Sequence, residues 1–233
     1  MTFLSGLQLL TFGSQNIKVW QYHFERQRYT DCLFQELDVA LPNEMKRAVT
    51  KRKAEFIAGR RAALHALRIE GCDCLELPIG EHRSPVWPEG WIGSISHTDD
   101  LAVATVSSLS DVSLVGLDVE ELINENQVMS LMPMFVSPQE IKHLARTHLP
   151  IQWFVTLVFS AKESIFKAIY PYVKTYLEFS DSKLMSVDMD KGEAHFQLCE
   201  RGEKAFGEAL NLCVYFFFKQ GKVYTLVREP RQA

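Results

Sequence analysis

Val115-Gly116-Leu117-Asp118-Val119-Glu120 is the stretch from which the architecture is read. Its apolar–polar alternation predicts a strand, with Leu117 and Val119 in the core and Asp118 and Glu120 together on the opposite face. Two carboxylates about 6–7 Å apart along one face repel each other unless a cation stands between them. Oxygen-only ligands suit Mg²⁺, which takes one or two carboxylates together with phosphate oxygens and water. Taken alone, the same pair also describes a solvent-facing edge strand.

C-terminal to this strand, Ser137-Pro138-Gln139-Glu140 has the capping-box pattern with proline at the first helical position, so a helix should start there. A second helix is expected from about Pro150 to just before Pro171. It would carry Phe159-Ser160-Ala161-Lys162-Glu163-Ser164-Ile165-Phe166-Lys167-Ala168. Phe154, Val158, Ala161, Ile165 and Ala168 then form one apolar stripe, and Glu163 and Lys167 project together one turn apart. By spacing alone that pair is an ordinary surface ion pair, although Phe159 and Phe166 flank it. Asn211 to Phe218 and Val223 to Arg228 read as strands joined across Lys219-Gln220-Gly221-Lys222.

N-terminal to the strand, Trp91 to Ser96 and Leu101 to Ser107 read as a hairpin around His97-Thr98-Asp99-Asp100. Gly93-Ser94-Ile95-Ser96-His97 offers hydroxyls, turn amides and an imidazole to a phosphate, or simply a turn histidine. Ser96 and His97 point to opposite faces, which argues against a nucleophile–base pair. Residues 43–70 read as a helix or helix pair ended by Gly71, with the interior Gly59 marking close packing or approach to a ligand. Eight basic side chains there (Lys46, Arg47, Lys51, Arg52, Lys53, Arg60, Arg61 and Arg68) face three acidic ones. Together with Arg83 in the loop 79–88, they point to an anionic partner.

The chain as a whole is acidic, with net charge -4 over 233 residues. A surface coating nucleic acid is therefore excluded as its main business. A chain of this length buries a sizeable core without disulfides or a structural metal. The longest apolar runs fall short of a membrane span, and the N-terminus lacks the charged start of a secretory signal. Five cysteines without a regular framework, Cys72 and Cys74 among them, read as free thiols in a reducing cytoplasm, with little weight for zinc. The economical fold is α+β, with two lobes, 1–115 and 116–233.

The series AGR, RxPxWP, GSISH, GLDVE and FSAKESxFK, between about Lys51 and Pro171, resembles the 4′-phosphopantetheinyl transferases. It is closest to their larger monomeric class, the type of the surfactin-synthetase activator and enterobactin synthase component D. Phe159 stands where many relatives carry tryptophan, a conservative aromatic change. The resemblance implies two similar α/β lobes related by a pseudo-twofold axis, with coenzyme A in the cleft between them. It implies transfer of the 4′-phosphopantetheine arm to a serine of an apo acyl, peptidyl or aryl carrier protein, with release of adenosine 3′,5′-bisphosphate. Siderophore or other secondary-metabolite synthesis would be the setting.

By that carry-over Asp118, Glu120 and Glu163 hold Mg²⁺ (Mn²⁺ a substitute), with direct ligation by Glu120 the open point. Glu163 is the candidate base, in competition with a metal-bound water, and Lys167 stabilises the diphosphate. Arg60, Arg83, Ser96 and His97, and less directly Arg52, contact the nucleotide phosphates. Lys46, Arg47 and Lys51 are left for an acidic carrier. Two rivals use the same residues: a Mg²⁺-dependent phosphohydrolase, and a non-catalytic module for an anionic partner.

Overall fold

A computed structural model of the chain describes residues 2–13 and 16–231. Its described residues divide into two compact units, one comprising 2–11 and 17–112, the other 12–13, 16 and 113–231. The fold is α+β, with an antiparallel sheet and one long helix in each unit.

In the first unit β1 (Leu4–Phe12) and β2 (Ile17–Phe24) precede α1 (Leu33–Glu36), α2 (Thr50–Ile69), β3 (Trp91–His97) and β4 (Leu101–Ser108). The strand order is β1-β2-β4-β3, and β4 pairs antiparallel with both β2 and β3. The expected helix pair over 43–70 is a single 3₁₀ turn, Asn43–Met45, followed by α2. α2 ends as its sequence predicts. Gly71 has φ +91, its N–H donates to Arg68 O, and the Cys72 N–H donates to Leu67 O, which is the Schellman pattern. Ala54, Ile57, Ala58, Ala62, Ala63 and Leu67 are fully buried against the sheet. Gly59 is a packing glycine, since a Cβ there would come within 2.8 Å of Ile95.

In the second unit β5 (Val112–Glu121) leads to α3 (Glu125–Phe135), α4 (Leu144–Thr147) and α5 (Ile151–Val173). Then come β6 (Ser182–Asp188), β7 (Glu193–Leu198), α6 (Glu200–Phe206), β8 (Asn211–Lys219) and β9 (Lys222–Pro230). The strand order is β5-β9-β8-β7-β6. The predicted stripe of α5, from Phe154 to Ala168, is 0–2% exposed against this sheet. At about 1.5–3 kcal/mol for each large side chain buried, Phe154, Leu157, Ile165 and Ile169 make this the main hydrophobic contact of the unit.

Two readings of the sequence need correction here. α5 does not stop before Pro171. It continues to Val173 and ends where Lys174 takes a left-handed conformation (φ 48) and its N–H reaches Tyr170 O at 2.9 Å. So near the C-terminus the proline removes only one of the last ladder bonds, a loss the packed helix tolerates. The capping box at Ser137 does form: the Ser137 N–H donates to Glu140 Oε2, and the Glu140 N–H to Ser137 Oγ. Yet it opens only a 3₁₀ turn, Glu140–His143, that runs into the one-turn α4.

Glu140 does more than cap. Its other oxygen accepts from the Leu184 N–H and from Lys162 Nζ at 2.8 Å, and both side chains of this ion pair are nearly inaccessible. Burial alone would raise the Glu140 carboxyl. The Lys162 ammonium and the two backbone donors outweigh it and hold Glu140 below its usual value. Burial pulls Lys162 below its ordinary value, although the Glu140 charge opposes this. Because the Glu140 carboxyl is lower folded than unfolded, its contribution is complete above the ordinary glutamate range. It is lost as pH falls through the folded value. Glu140→Ala should therefore cost about 3–5 kcal/mol near neutrality, read as a lowered Tm, because it strands a buried ammonium. Replacing both partners by Leu and Met should restore most of that loss, and the deficit of Glu140→Ala should shrink in acid.

Candidate active site

β5 is buried on both faces, so the simple picture of a core face and a wet face fails. The alternation itself holds. Leu117 and Val119 are fully buried on one side, while Leu114, Gly116, Asp118 and Glu120 lie on the side that meets α5. Gly116 is the contact point: a Cβ there would lie 1.9 Å from Ser164 O and 2.7 Å from Ala168 N. Only a glycine lets the helix backbone come this close, and that approach brings Glu163 and Lys167 alongside Asp118.

Asp118 is 2% exposed, and both of its carboxylate oxygens are engaged. Lys167 Nζ donates to Oδ1 at 2.7 Å and also to Leu117 O at 3.2 Å. Ser160 Oγ donates to Oδ2 at 2.7 Å, and Thr225 Oγ1 donates to Ser160 O at 2.9 Å, linking α5 to β9. Hydrogen bonds of this charge-assisted kind are what let an acid stay ionised in the interior. Glu163 and Lys167, which by spacing looked like a surface pair, are half-buried, and the ammonium bonds Asp118.

Glu120 and Glu163 share this neighbourhood. Burial first, then the Asp118 charge, push the Glu120 carboxyl up to about 8, with Lys167 opposing and Glu163 adding to the rise. Burial also raises Glu163, against the pull of Lys167. Three oxygen-only carboxylates forced together with a single ammonium form a donor set that a hard divalent cation would relieve, so these residues fit Mg²⁺ by their chemistry. Beside Glu163 a cavity of mixed character is lined by Phe166, Leu177 and Phe179 together with Lys162, Glu178 and Asp181. Phe159 is not in solvent; its ring packs on Phe135 and Phe179 at 4.5 and 5.6 Å.

The basic candidates lie in the first unit. Arg52 Nη1 is 3.2 Å from His97 Nε2, and both lie 3.7 Å from Glu55 Oε2, so α2 and the end of β3 share a small polar cluster. Burial raises the Glu55 carboxyl against the charges of Lys51 and Arg52. Ser96 is buried on the other face of β3 from His97, as strand alternation requires. Arg60 sits differently from the surface base that the sequence suggested. It is 6% exposed, donates to Leu77 O at 2.8 Å and Pro78 O at 3.4 Å, and lies 4.8 Å above the Phe56 ring. Burial, then Arg52, lower it to about 10. Its guanidinium thus fixes the start of the loop that carries Arg83. That loop closes on itself through Gly80 N–H to Ser84 O at 2.7 Å and leaves Arg83 exposed, with φ 68. Lys51 is tied to Asp99 at 2.6 Å, whereas Lys46 and Arg47 are exposed.

Sequence reasoning missed Ser160, Thr225 and the Glu140–Lys162 brace. Ser160 and Lys162 were visible within the run around Glu163, but their partners lie 65 and 22 residues away and left no local signal.

Two family models cover most of this chain. Residues 41–107 match the 4′-phosphopantetheinyl transferase N-terminal domain, and residues 114–214 match the 4′-phosphopantetheinyl transferase superfamily. Enterobactin synthase component D of Salmonella typhi is 39% identical over 146 residues, 63% of this chain and 60% of that protein. The protein of the same name from Salmonella typhimurium is 38% identical over 180 residues, 76% of this chain and 72% of that one. The 4′-phosphopantetheinyl transferase Svp of Streptomyces mobaraensis is 32% identical over 189 residues, 78% and 75% of the two chains. The matched part of the chain thus spans between 60% and 75% of the length of these relatives. With the GLDVE strand and the SAKESxFK helix packed face to face inside the matched region, the chain belongs to the 4′-phosphopantetheinyl transferase superfamily.

Proposed function

We propose that this chain transfers the 4′-phosphopantetheine arm of coenzyme A to a serine of an apo carrier protein, in siderophore or related secondary-metabolite synthesis. The observation that carries the reading is the gathering of Asp118, Glu120, Glu163 and Lys167 on one face of β5 and α5. In the reaction the serine oxygen bonds to the phosphorus on the pantetheine side, the phosphoanhydride bond breaks, and adenosine 3′,5′-bisphosphate leaves.

Asp118, Glu120 and Glu163 would hold Mg²⁺, which when bound neutralises diphosphate charge. Asp118, pinned by Ser160, is the fixed member of the set. Cation ligation lowers a carboxylate's proton affinity, so Glu163 would take the serine proton from outside the metal's ligand shell, with a metal-bound water as the alternative base. Lys167, which bonds both Asp118 and the Leu117 carbonyl, would stabilise the diphosphate. The cavity beside Glu163, with apolar walls and several polar groups, would take the amide-bearing pantetheine arm. In the first unit Arg52, His97 and Arg83 would take the nucleotide phosphates, with Ser96 and Arg60 shaping the strand and loop that present them. The exposed Lys46 and Arg47 would meet an acidic carrier. The chain would work as a monomer in the cytoplasm, where five unpaired cysteines are at home.

Intact-protein mass spectrometry of an apo carrier incubated with this protein, CoA and Mg²⁺ tests the reading. A mass gain of one phosphopantetheine arm, abolished by EDTA, is the expected result. No gain on several unrelated apo carriers, despite measurable CoA binding, would move the assignment to a phosphohydrolase or a binding module. Asp118→Asn and Glu163→Gln should each lower the transfer rate about 10²-fold or more, while circular dichroism shows an intact fold. A fully active variant would remove that residue from the chemistry. Replacing Lys46 and Arg47 together by alanine should raise the KM for the carrier and flatten its salt dependence, leaving CoA affinity unchanged. The opposite split would assign these two bases to the nucleotide.

A further inference from the structure

The sheet that carries Asp118 towards α5 has a second group of ligands on its other face. β7 alternates strictly: Ala194, Phe196 and Leu198 are 1–2% exposed within the α5 core, so Glu193 and His195 point away from it. The β7–β8 register sets Cys213 directly opposite His195. Glu193 lies two residues before His195 on the same strand, so all three side chains share one face.

Their ligand atoms converge. Among the described residues this is the one group of three metal-capable side chains whose carboxylate oxygen, imidazole nitrogen and sulfur all lie within 4.8 Å of one another. Glu193 Oε2 is 3.8 Å from His195 Nε2. Around a tetrahedral Zn²⁺, with bonds of about 2.0–2.3 Å, ligand atoms stand about 3.3–3.8 Å apart. The remaining distance is a rotamer adjustment, and the His195 side chain, 48% exposed, is free to make it.

We propose that Glu193, His195 and Cys213 form a second metal site, specific for Zn²⁺ or a metal of similar softness, with three protein ligands and a fourth position open to solvent. The donor set decides the metal class. One thiolate, one imidazole and one carboxylate suit Zn²⁺ and Co²⁺, whereas Mg²⁺ discriminates against sulfur. Burial, then the charges of Glu193 and Glu229, push the Cys213 thiol up to about 11, so the metal must itself displace the thiol proton while balancing those carboxylates. Binding exchanges the thiol proton for the metal, and that proton goes to solvent. The site clamps β7 to β8 and shields the Cys213 sulfur from oxidation. It draws no ligand from Asp118, Glu120 or Glu163, which lie on the α5 side.

The test is a Co²⁺ titration of the full chain in saturating Mg²⁺, followed by Zn²⁺. A thiolate-to-cobalt charge-transfer band should saturate at one equivalent and vanish when Zn²⁺ displaces Co²⁺. Cys213→Ser should abolish the band, and His195→Ala should weaken binding about tenfold or more. His195→Ala should leave Mg²⁺-dependent transfer unchanged, so this result stands or falls apart from the transferase reading. The inference is overturned if no thiolate band appears. It is equally overturned if the band survives Cys213→Ser, or disappears instead in Cys72→Ser/Cys74→Ser or in Asp118→Asn.

Discussion

The approach of α5 to β5 at Gly116 is the constraint on which the second unit depends. A helix packed on a sheet is normally held off it by side chains from both surfaces. At Gly116 one of those layers is missing, and the helix backbone at Ser164 and Ala168 touches the strand. That contact fixes the height of α5 above the sheet. It places Ser160 and Lys167, seven residues or about two turns apart, on either side of Asp118. The carboxylate is held by geometry that the packing of backbone on backbone has already set, so its position does not rely on a flexible side chain reaching for it.

Bringing acids into such a contact costs solvation, and the structure shows where the cost is offset. Asp118 receives an ammonium and a hydroxyl, and Glu140 receives an ammonium and two backbone N–H groups. Glu120 and Glu163 receive less, and burial raises both. α5 therefore carries two lysines with different tasks five residues apart. Lys162 is sealed in an ion pair that ties the helix to Glu140, and Lys167 is half-buried at the candidate site. The first makes the helix a rigid platform. The second is closer to solvent and bonds both Asp118 and the Leu117 carbonyl.

What could be read from the sequence followed a physical divide. Regular elements convert spacing into geometry, so the shared face of Asp118 and Glu120, the α5 stripe and the Gly71 helix end were legible, whereas Glu163 and Lys167 were placed on one helix side but not seen to be half-buried against Asp118. Contacts between elements were not legible. Nothing near Asp118 announces Lys167, 49 residues on, and nothing near Lys162 announces Glu140. β1 is exposed along most of its length and β6 loses its alternation after Leu184, so neither gave a clean period. Pro171 was over-read as a stop because tertiary packing of α5 outweighs one lost bond. Arg60 was legible as a base but not as a buried one, since its partners are carbonyls that any sequence supplies.

The five-stranded sheet also shows how a single pleat can separate two kinds of chemistry. Side chains on successive residues point to opposite faces, so each strand writes two independent patterns. On the α5 side, β5 contributes hard oxygen donors next to an ammonium, a combination matched to phosphate and Mg²⁺. On the other side, β7 and β8 contribute sulfur, nitrogen and oxygen in one cross-strand cluster. A metal that prefers one set is poorly served by the other, because thiolate affinity and phosphate affinity select different ions. Phe196 and Val214 on the α5 face and Leu226 on the other are each at most 1% exposed, so both faces of the sheet are packed there. The two donor sets share no residue, so a substitution in one leaves the side chains of the other in place.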